Sequence, residues 1–242
     1  MTGGMIAGER TALWASPVRR LPATTGYVAL LLAIAAWQAT LSAGQQARFI
    51  RHISSNVHHL EVGKWWTLFT SALVVDGVPA LAGIAAVAAV LGLAEWRWGT
   101  ARGVGVFLFG HLVATLLTEG AMWLMRLAHV PGALTRARDV GISYGLVATL
   151  ACLLALAGER IRRAGLTVLT AALTVAWVVD HELADAGHLV ALGLGVLGAR
   201  SRWLRAAAPG AVPPRSGVAP PVHRRGHEFQ CATRDSNPGP TD

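Results

Sequence analysis

Apolar residues in this chain fall into six runs, which are separated by more polar segments. The runs cover about residues 25–41, 79–94, 103–124, 140–156, 164–179 and 184–198. Runs of this length and apolarity are typical of helices that cross a lipid bilayer. The pattern therefore predicts an all-α membrane protein, a bundle of six transmembrane helices.

Two stretches between the first two runs interrupt this regularity. Residues 42–64 are polar and contain Arg48, Arg51 and three histidines. Residues 65–75 are apolar, but Asp76, Gly77 and Pro79 separate them from the next run. Because glycine and proline interrupt helices, we interpret residues 65–75 as a re-entrant or interfacial piece.

Composition narrows the class of protein in the same direction. Charged residues make up 14% of the chain and hydrophobic residues 53%, whereas a typical soluble domain is about 25% charged. This balance excludes a disordered chain, a disulfide scaffold and an ordinary cytosolic enzyme. Cys152 and Cys231 have no metal-ligand spacing, and we expect neither a metal nor another cofactor.

The net charge of +8 is compatible with nucleic-acid binding, but the positions of the arginines argue against it. They cluster between apolar runs, as in membrane proteins, so the expected partner is the lipid bilayer. With the N-terminus inside, 15 of the 21 lysines and arginines lie on the cytoplasmic side. We therefore expect a multi-pass cell-membrane protein with both termini in the cytoplasm. Its predicted parts are an N-terminal segment (1–23), a membrane domain (24–200) and a disordered basic tail (201–242).

Polar side chains inside the predicted helices are candidate functional residues, because burying them in hydrocarbon is costly. They are Glu95 on the second helix, His111 and Glu119 on the third, Ser143 and Tyr144 on the fourth, and His188 on the sixth. The topology places Ser143, His188 and Glu119 at a similar depth in the outer leaflet. Glycines beside Ser143 and His188 allow close helix packing, so the two side chains are a candidate nucleophile and general base. Each also fits a purely structural role. Ser143 could donate a hydrogen bond to a carbonyl of its own helix, and His188 could form a hydrogen bond between two helices.

Four segments, in chain order, resemble motifs of the rhomboid family. Residues 64–71 (KWWTLFTS) resemble the W-R-L-x-T segment, and Glu95 and Gly99 match the E-x-x-x-G that follows it. Residues 141–143 (GIS) resemble the G-x-S of the fourth helix, and residues 186–195 resemble the A-H-x-x-G-x-x-x-G of the sixth. Residues 139–146 (DVGISYGL) are also similar to a segment of actinobacterial rhomboid-like membrane proteins.

This resemblance implies a six-helix bundle with a water-filled cavity that opens to the outside. It implies that Ser143 attacks a peptide bond in a transmembrane segment and that His188 carries the proton, without a third acid. Gly141 and Tyr144 would flank the oxyanion site. From the residues themselves, we expect Glu95 and Gly99 to be structural: Glu95 lies at an inner helix end beside Arg97 and Arg102, where charge-assisted hydrogen bonds could hold the turn between two helices.

The chain also departs from the family pattern. The H-x-x-x-N of active rhomboids falls near Pro79 and Gly83, neither of which has a side-chain hydrogen-bond donor. Tyr144 stands where a glycine usually follows the nucleophile, and Ala191 replaces a glycine of the sixth helix. His111 lies one helix later, at a depth that looks too central for the oxyanion site.

Two function classes therefore stay open. One is a divergent intramembrane serine protease that uses Ser143 and His188. The other is a catalytically inactive rhomboid-like protein that binds transmembrane helices of client proteins. A transporter is disfavoured because the chain shows no internal repeat. A metal site at His58, His59, His181 and Glu182 is disfavoured because the ligand spacing is absent.

Overall fold

The computed structural model of the protein describes residues 20–74, 80–130, 142–180 and 183–205. The regular elements in these ranges are all helices. In chain order they are α1 (Pro22–Ala39), α2 (Ala43–Ile53), α3 (Val57–Glu61), α4 (Thr67–Thr70, followed by a 3₁₀ turn at Ser71–Leu73), α5 (Ala80–Trp98), α6 (Thr100–Leu127), α7 (Ser143–Ala155), α8 (Glu159–Asp180), α9 (Leu183–Gly198) and α10 (Arg202–Arg205).

The six apolar runs of the sequence correspond to six of these helices. Four of them, α1, α5, α6 and α8, are long and apolar enough to cross a membrane. The other two, α7 and α9, are apolar but shorter. The predicted all-α membrane bundle is therefore confirmed.

The polar stretch after α1 contains two short helices that the sequence analysis does not predict. Ser42 opens α2 with a capping box, in which Gln45 Oε1 accepts a hydrogen bond from the Ser42 N–H at 2.9 Å. Asn56 opens α3 by accepting one from the His59 N–H, also at 2.9 Å. These caps satisfy backbone groups that the first turn of a helix leaves without partners.

Close contacts between small residues hold the centre of the bundle together. Helix α7 lies between α6 and α9, with Ala148 at both interfaces. A Cβ added at Gly110 of α6 would overlap Ala148 Cβ, and one added at Gly195 of α9 would overlap the Ala148 carbonyl. Glycine at these two positions lets the three backbones approach, as small residues do in other membrane bundles.

A second apolar cluster joins α1 and α5 to the rest of the bundle. Its buried members are Leu31, Ile84, Val87, Leu91, Phe107 and Ile142. Tyr27 packs edge-on against Phe107 and donates a hydrogen bond to the Ala72 carbonyl. The turn that follows α4 is thus fixed between α1 and α6.

The chain folds back on itself after α9. Residues 201–205, which the sequence assigns to a disordered tail, contain α10, and Leu204 is buried there. Arg102 Nε of α6 donates a hydrogen bond to the Trp203 carbonyl at 3.0 Å. The folded unit therefore extends beyond residue 200.

Candidate functional site

Three helices meet at one contact beside the candidate residues. A Cβ added at Gly187 of α9 would overlap the Tyr144 hydroxyl of α7 and the Thr118 hydroxyl of α6. The chain neighbours of these contacts are His188, Ser143 and Glu119. The three candidate residues are therefore next in the chain to one contact between α6, α7 and α9.

Ser143 begins α7 and is half-buried. The preceding residue, Ile142, makes no side-chain cap for the helix. The first N–H groups of an α-helix have no intrahelical acceptor and point out of its N-terminal end. Ser143 thus combines an accessible hydroxyl with backbone donors from its own turn. Gly141 lies outside the described residues.

His188 packs against the residue that follows the candidate nucleophile. Its ring lies edge-on to the Tyr144 ring, with centroids 4.9 Å apart. Tyr144 itself is only 1% exposed, so it fills the space between α7 and α9. Within the part of the chain that the structure describes, no hydrogen bond joins Ser143 to His188. His188 thus contacts α7 at Tyr144, the residue next to Ser143.

Asp185 is an acidic neighbour of His188 that the sequence analysis missed. Its Oδ1 lies 3.7 Å from His188 Nδ1, one helical turn away on α9. This separation is too long for a hydrogen bond, but it is short enough for electrostatic attraction. With Nδ1 turned toward the carboxylate, the other ring nitrogen, Nε2, is left to accept a proton. The i, i+3 spacing of Asp185 and His188 is visible in the sequence and is the signal that could have found this pair.

Side-chain donors for an oxyanion do not come from the positions that the family resemblance indicates. Gly83 lies on α5 and has no side chain, and Pro79 lies outside the described residues. Donors for a developing oxyanion would then come from the backbone at the start of α7.

Glu119 is buried on α6, at 2% exposure. It lines a cavity of about 300 Å³ between α3 and α6, together with Trp65 and Trp123. An ion pair between Arg126 and Glu61, 3.1 Å long, links the same two helices. Glu119 thus lines a largely apolar cavity and directly follows Thr118, which lies at the contact of α6, α7 and α9.

His111 is bound to α4 and to the turn that follows it. Its Nε2 lies 2.9 Å from the Leu68 carbonyl and 3.3 Å from Ser71 Oγ. Because a carbonyl only accepts, Nε2 carries the proton and cannot act as a base toward Ser71. His111 is seven residues, or about two turns, before Thr118 on α6. In this structure it tethers α4 and the turn at Ser71 to α6.

Glu95 closes the N-terminal end of α1. Its two carboxylate oxygens accept hydrogen bonds from the N–H groups of Ala23 and Thr24, at 3.1 and 2.8 Å, and from the Thr24 hydroxyl at 2.7 Å. A fourth comes from the Thr100 hydroxyl, at 2.6 Å. The sequence expectation of a structural carboxylate fits this geometry, but its partners differ from those expected. Glu95 makes no ion pair with Arg97 or Arg102, all three of which lie in the described ranges.

Gly99 joins α5 to α6 in a conformation that favours glycine. Its φ is +81°, in the left-handed region, where a Cβ would be strained. This turn lets α6 start directly after α5 ends at Trp98. Together with Glu95, it fixes the end of the bundle opposite Ser143.

Comparison with known proteins gives one match. A family model described as rhomboid-like protein matches residues 16–203 of the chain. No curated protein and no solved structure matches it. The matched range includes every candidate residue described above. The narrower similarity to actinobacterial members stays a prediction.

Proposed function

Because the chain belongs to the rhomboid-like protein family, we propose that it is an intramembrane serine protease in which Ser143 is the nucleophile and His188 the general base. The observation that carries the proposal is the packing of His188 on Tyr144, beside the half-buried hydroxyl of Ser143. Asp185 supports it, because its carboxylate faces Nδ1 and leaves Nε2 available. The substrate class is the transmembrane segment of another membrane protein.

The proposed reaction uses these groups in two steps. His188 Nε2 takes the Ser143 proton while Oγ bonds to the carbonyl carbon of the scissile peptide. Backbone N–H groups at the start of α7 stabilise the negative charge on the carbonyl oxygen. The carbon–nitrogen bond then breaks, and His188 gives its proton to the leaving amine. Water hydrolyses the resulting ester in the second step and regenerates Ser143.

The proposal includes a topology for the membrane domain. Six helices, α1 and α5 to α9, cross the cell membrane, and both termini lie in the cytoplasm. The arginine distribution supports this orientation, since 15 of the 21 basic residues then lie inside. The start of α7 faces the outside. Residues 1–23 are the cytoplasmic N-terminal segment, and the cytoplasmic tail begins after α10.

Labelling with a fluorophosphonate probe tests the proposed chemistry. The protein is purified in detergent, incubated with the probe for long periods, and digested to locate the labelled residue by mass spectrometry. We expect slow labelling at Ser143, because removing one oxyanion donor typically costs about 100- to 1,000-fold in rate. Ser143→Ala and His188→Ala should each abolish it, and the double variant should show no further loss.

Ser71→Ala is the matched control. Ser71 is also a serine within reach of a histidine, but the partner nitrogen of His111 is a donor there. Labelling should therefore persist in this variant. Labelling that is lost in Ser71→Ala, or that persists in Ser143→Ala, would refute the assignment.

A second candidate function is a catalytically inactive protein that binds transmembrane helices of client proteins. It is favoured by the lack of a hydrogen bond between Ser143 and His188 in the described residues, and by the absence of a side chain at Gly83. If folded protein is not labelled at any residue, while client helices still co-purify with Ser143→Ala, this second function is the better one.

A further inference from the structure

A second cavity lies at the end of the bundle opposite Ser143. It is a groove between α6 and α9, of about 320 Å³, a volume at the lower end of ordinary ligand sites. Ala148 of α7 forms its floor, and Trp203 closes one end. Its lining is otherwise mainly apolar and includes Gly105, Phe109, Leu194 and Gly198.

The groove opens toward the lipid. Phe109 on one wall is 51% exposed, and Trp203 at the closed end is 49% exposed. The ring of Trp203 lies over Gly105, where an added Cβ would overlap it. An apolar chain from the bilayer can therefore lie along α9 and end against an aromatic ring.

Basic side chains surround the closed end of the groove. Arg102 lies 5.7 Å from the centre of the Trp203 ring and is hydrogen-bonded to the backbone there. Arg200 and Arg202 flank the lining residue Ser201, and both are exposed. Among the described residues neither of these two side chains has a hydrogen bond or an ion pair, so their guanidinium groups are available to a ligand. Arginine binds phosphate through paired N–H donors.

We propose that this groove binds one anionic phospholipid, with an acyl chain between α6 and α9 and the phosphate at Arg200 and Arg202. Charge complementarity selects this occupant, because an apolar cleft next to uncompensated arginines matches a chain joined to an anionic headgroup. The site lies at the membrane surface that carries most of the arginines. It does not depend on the chemistry proposed for Ser143.

Quenching of Trp203 fluorescence by brominated lipid measures occupancy directly. The protein is placed in phosphatidylcholine nanodiscs with increasing fractions of phosphatidylglycerol brominated on its acyl chains. The signal of Trp203 is the difference between each protein and its Trp203→Phe version, which removes the contribution of the other tryptophans. Brominated phosphatidylcholine in the same fractions reports contact with bulk lipid. We expect half-maximal quenching at a clearly lower fraction of brominated phosphatidylglycerol than of brominated phosphatidylcholine.

Two double arginine variants distinguish binding at this site from the effect of general surface charge. Arg200→Gln with Arg202→Gln should raise the half-maximal fraction by about 25-fold, since each arginine near an anionic surface contributes about fivefold. Arg97→Gln with Arg160→Gln removes the same charge from two exposed arginines that neither line the groove nor adjoin a residue that lines it. This control pair should leave the fraction nearly unchanged. Equal effects of the two pairs would overturn the proposal.

Two glycines of α9 test the apolar part. Gly198 lines the groove, and a Cβ there meets no atom within 4 Å, so we expect Gly198→Leu to extend into the groove. Gly193 is equally unobstructed but does not line the groove. Gly198→Leu should abolish the preference for phosphatidylglycerol, and Gly193→Leu should retain it.

Other occupants give different results. If Gly198→Leu leaves the lipid preference intact but converts a dimer into a monomer, the groove binds a second copy of the chain. If it instead releases a co-purified client helix, the groove binds protein. Either result would replace the lipid proposal.

Discussion

Replacing Glu95 by glutamine tests the most heavily hydrogen-bonded carboxylate in the described structure. Each oxygen of Glu95 accepts two hydrogen bonds, and the side chain is 2% exposed. Glutamine has nearly the same shape but a single acceptor oxygen, and its amide group would face donors. The threonine hydroxyl beside that amide can turn and accept a hydrogen bond from it, but the backbone N–H beside it loses its acceptor. The other three hydrogen bonds become neutral.

The size of the effect follows from these bonds. A hydrogen bond to a charged group contributes about 1.5–3 kcal/mol to stability and a neutral one about 0.5–1.5 kcal/mol. Losing one such bond and making three others neutral therefore costs about 3 kcal/mol or more. For a protein of this length, 1 kcal/mol corresponds to about 2–4 °C in Tm. We therefore expect Glu95→Gln to lower the apparent Tm in detergent by about 6–12 °C.

Cys152 provides the assay, because it is fully buried in the native bundle. In a Cys231→Ser background, a maleimide dye that fluoresces on reaction reports the exposure of this thiol as the protein is heated. Glu159→Gln is the matched control. Glu159 is half-exposed and pairs with Arg162 and Arg163 on its own helix, where such pairs contribute about 0.3–0.5 kcal/mol. Its Tm should fall by no more than about 4 °C, and a Glu95→Gln shift of the same size would refute the capping role.

The remaining predictions concern topology, packing and the proposed pair. Topology reporters fused after Arg20, Ala128 and Arg205 should lie in the cytoplasm, outside the cell and in the cytoplasm, respectively. A reporter outside the cell at either terminus would contradict the proposed orientation. Gly195→Ala should lower the apparent Tm more than Gly193→Ala does, because only the first Cβ meets the Ala148 carbonyl. Asp185→Asn should slow fluorophosphonate labelling by about tenfold with an unchanged Tm. Replacing an acid that is hydrogen-bonded directly to a catalytic histidine lowers kcat roughly 10,000-fold. The effect at Asp185 should be smaller, because its 3.7 Å distance from His188 is too long for a hydrogen bond.

The helices were predictable because hydropathy along the chain is a local signal. Each apolar run of the sequence corresponds to an apolar helix, with ends that differ by a few residues. The capping box of α2 is local too, since Ser42 and Gln45 are three residues apart. It was overlooked because the surrounding residues are polar and were interpreted only by their charge.

The partners of the candidate residues were less predictable. Glu95 was identified by its motif, but its hydrogen bonds join residues 71 and 72 positions apart in the chain. His111 likewise reaches a backbone carbonyl 43 positions away. Such long-range pairs cannot be identified from one sequence, because many backbone groups in the chain could be the hydrogen-bond partner. Asp185 is different, because its three-residue spacing from His188 is visible in the sequence. Only its role beside His188 was missed.

The length of α7 makes the candidate site sensitive to membrane thickness. Helix α7 has 13 residues, or about 20 Å, whereas the hydrocarbon core of a bilayer is about 30 Å thick. Its neighbour α6 has 28 residues, or about 42 Å, and reaches across the whole core. A helix of this length cannot reach both faces of the core, so the site proposed at its start depends on a locally thinner bilayer or on water that enters from above. Longer acyl chains would place Ser143 deeper and slow its reaction with water-borne reagents, whereas shorter chains would speed it.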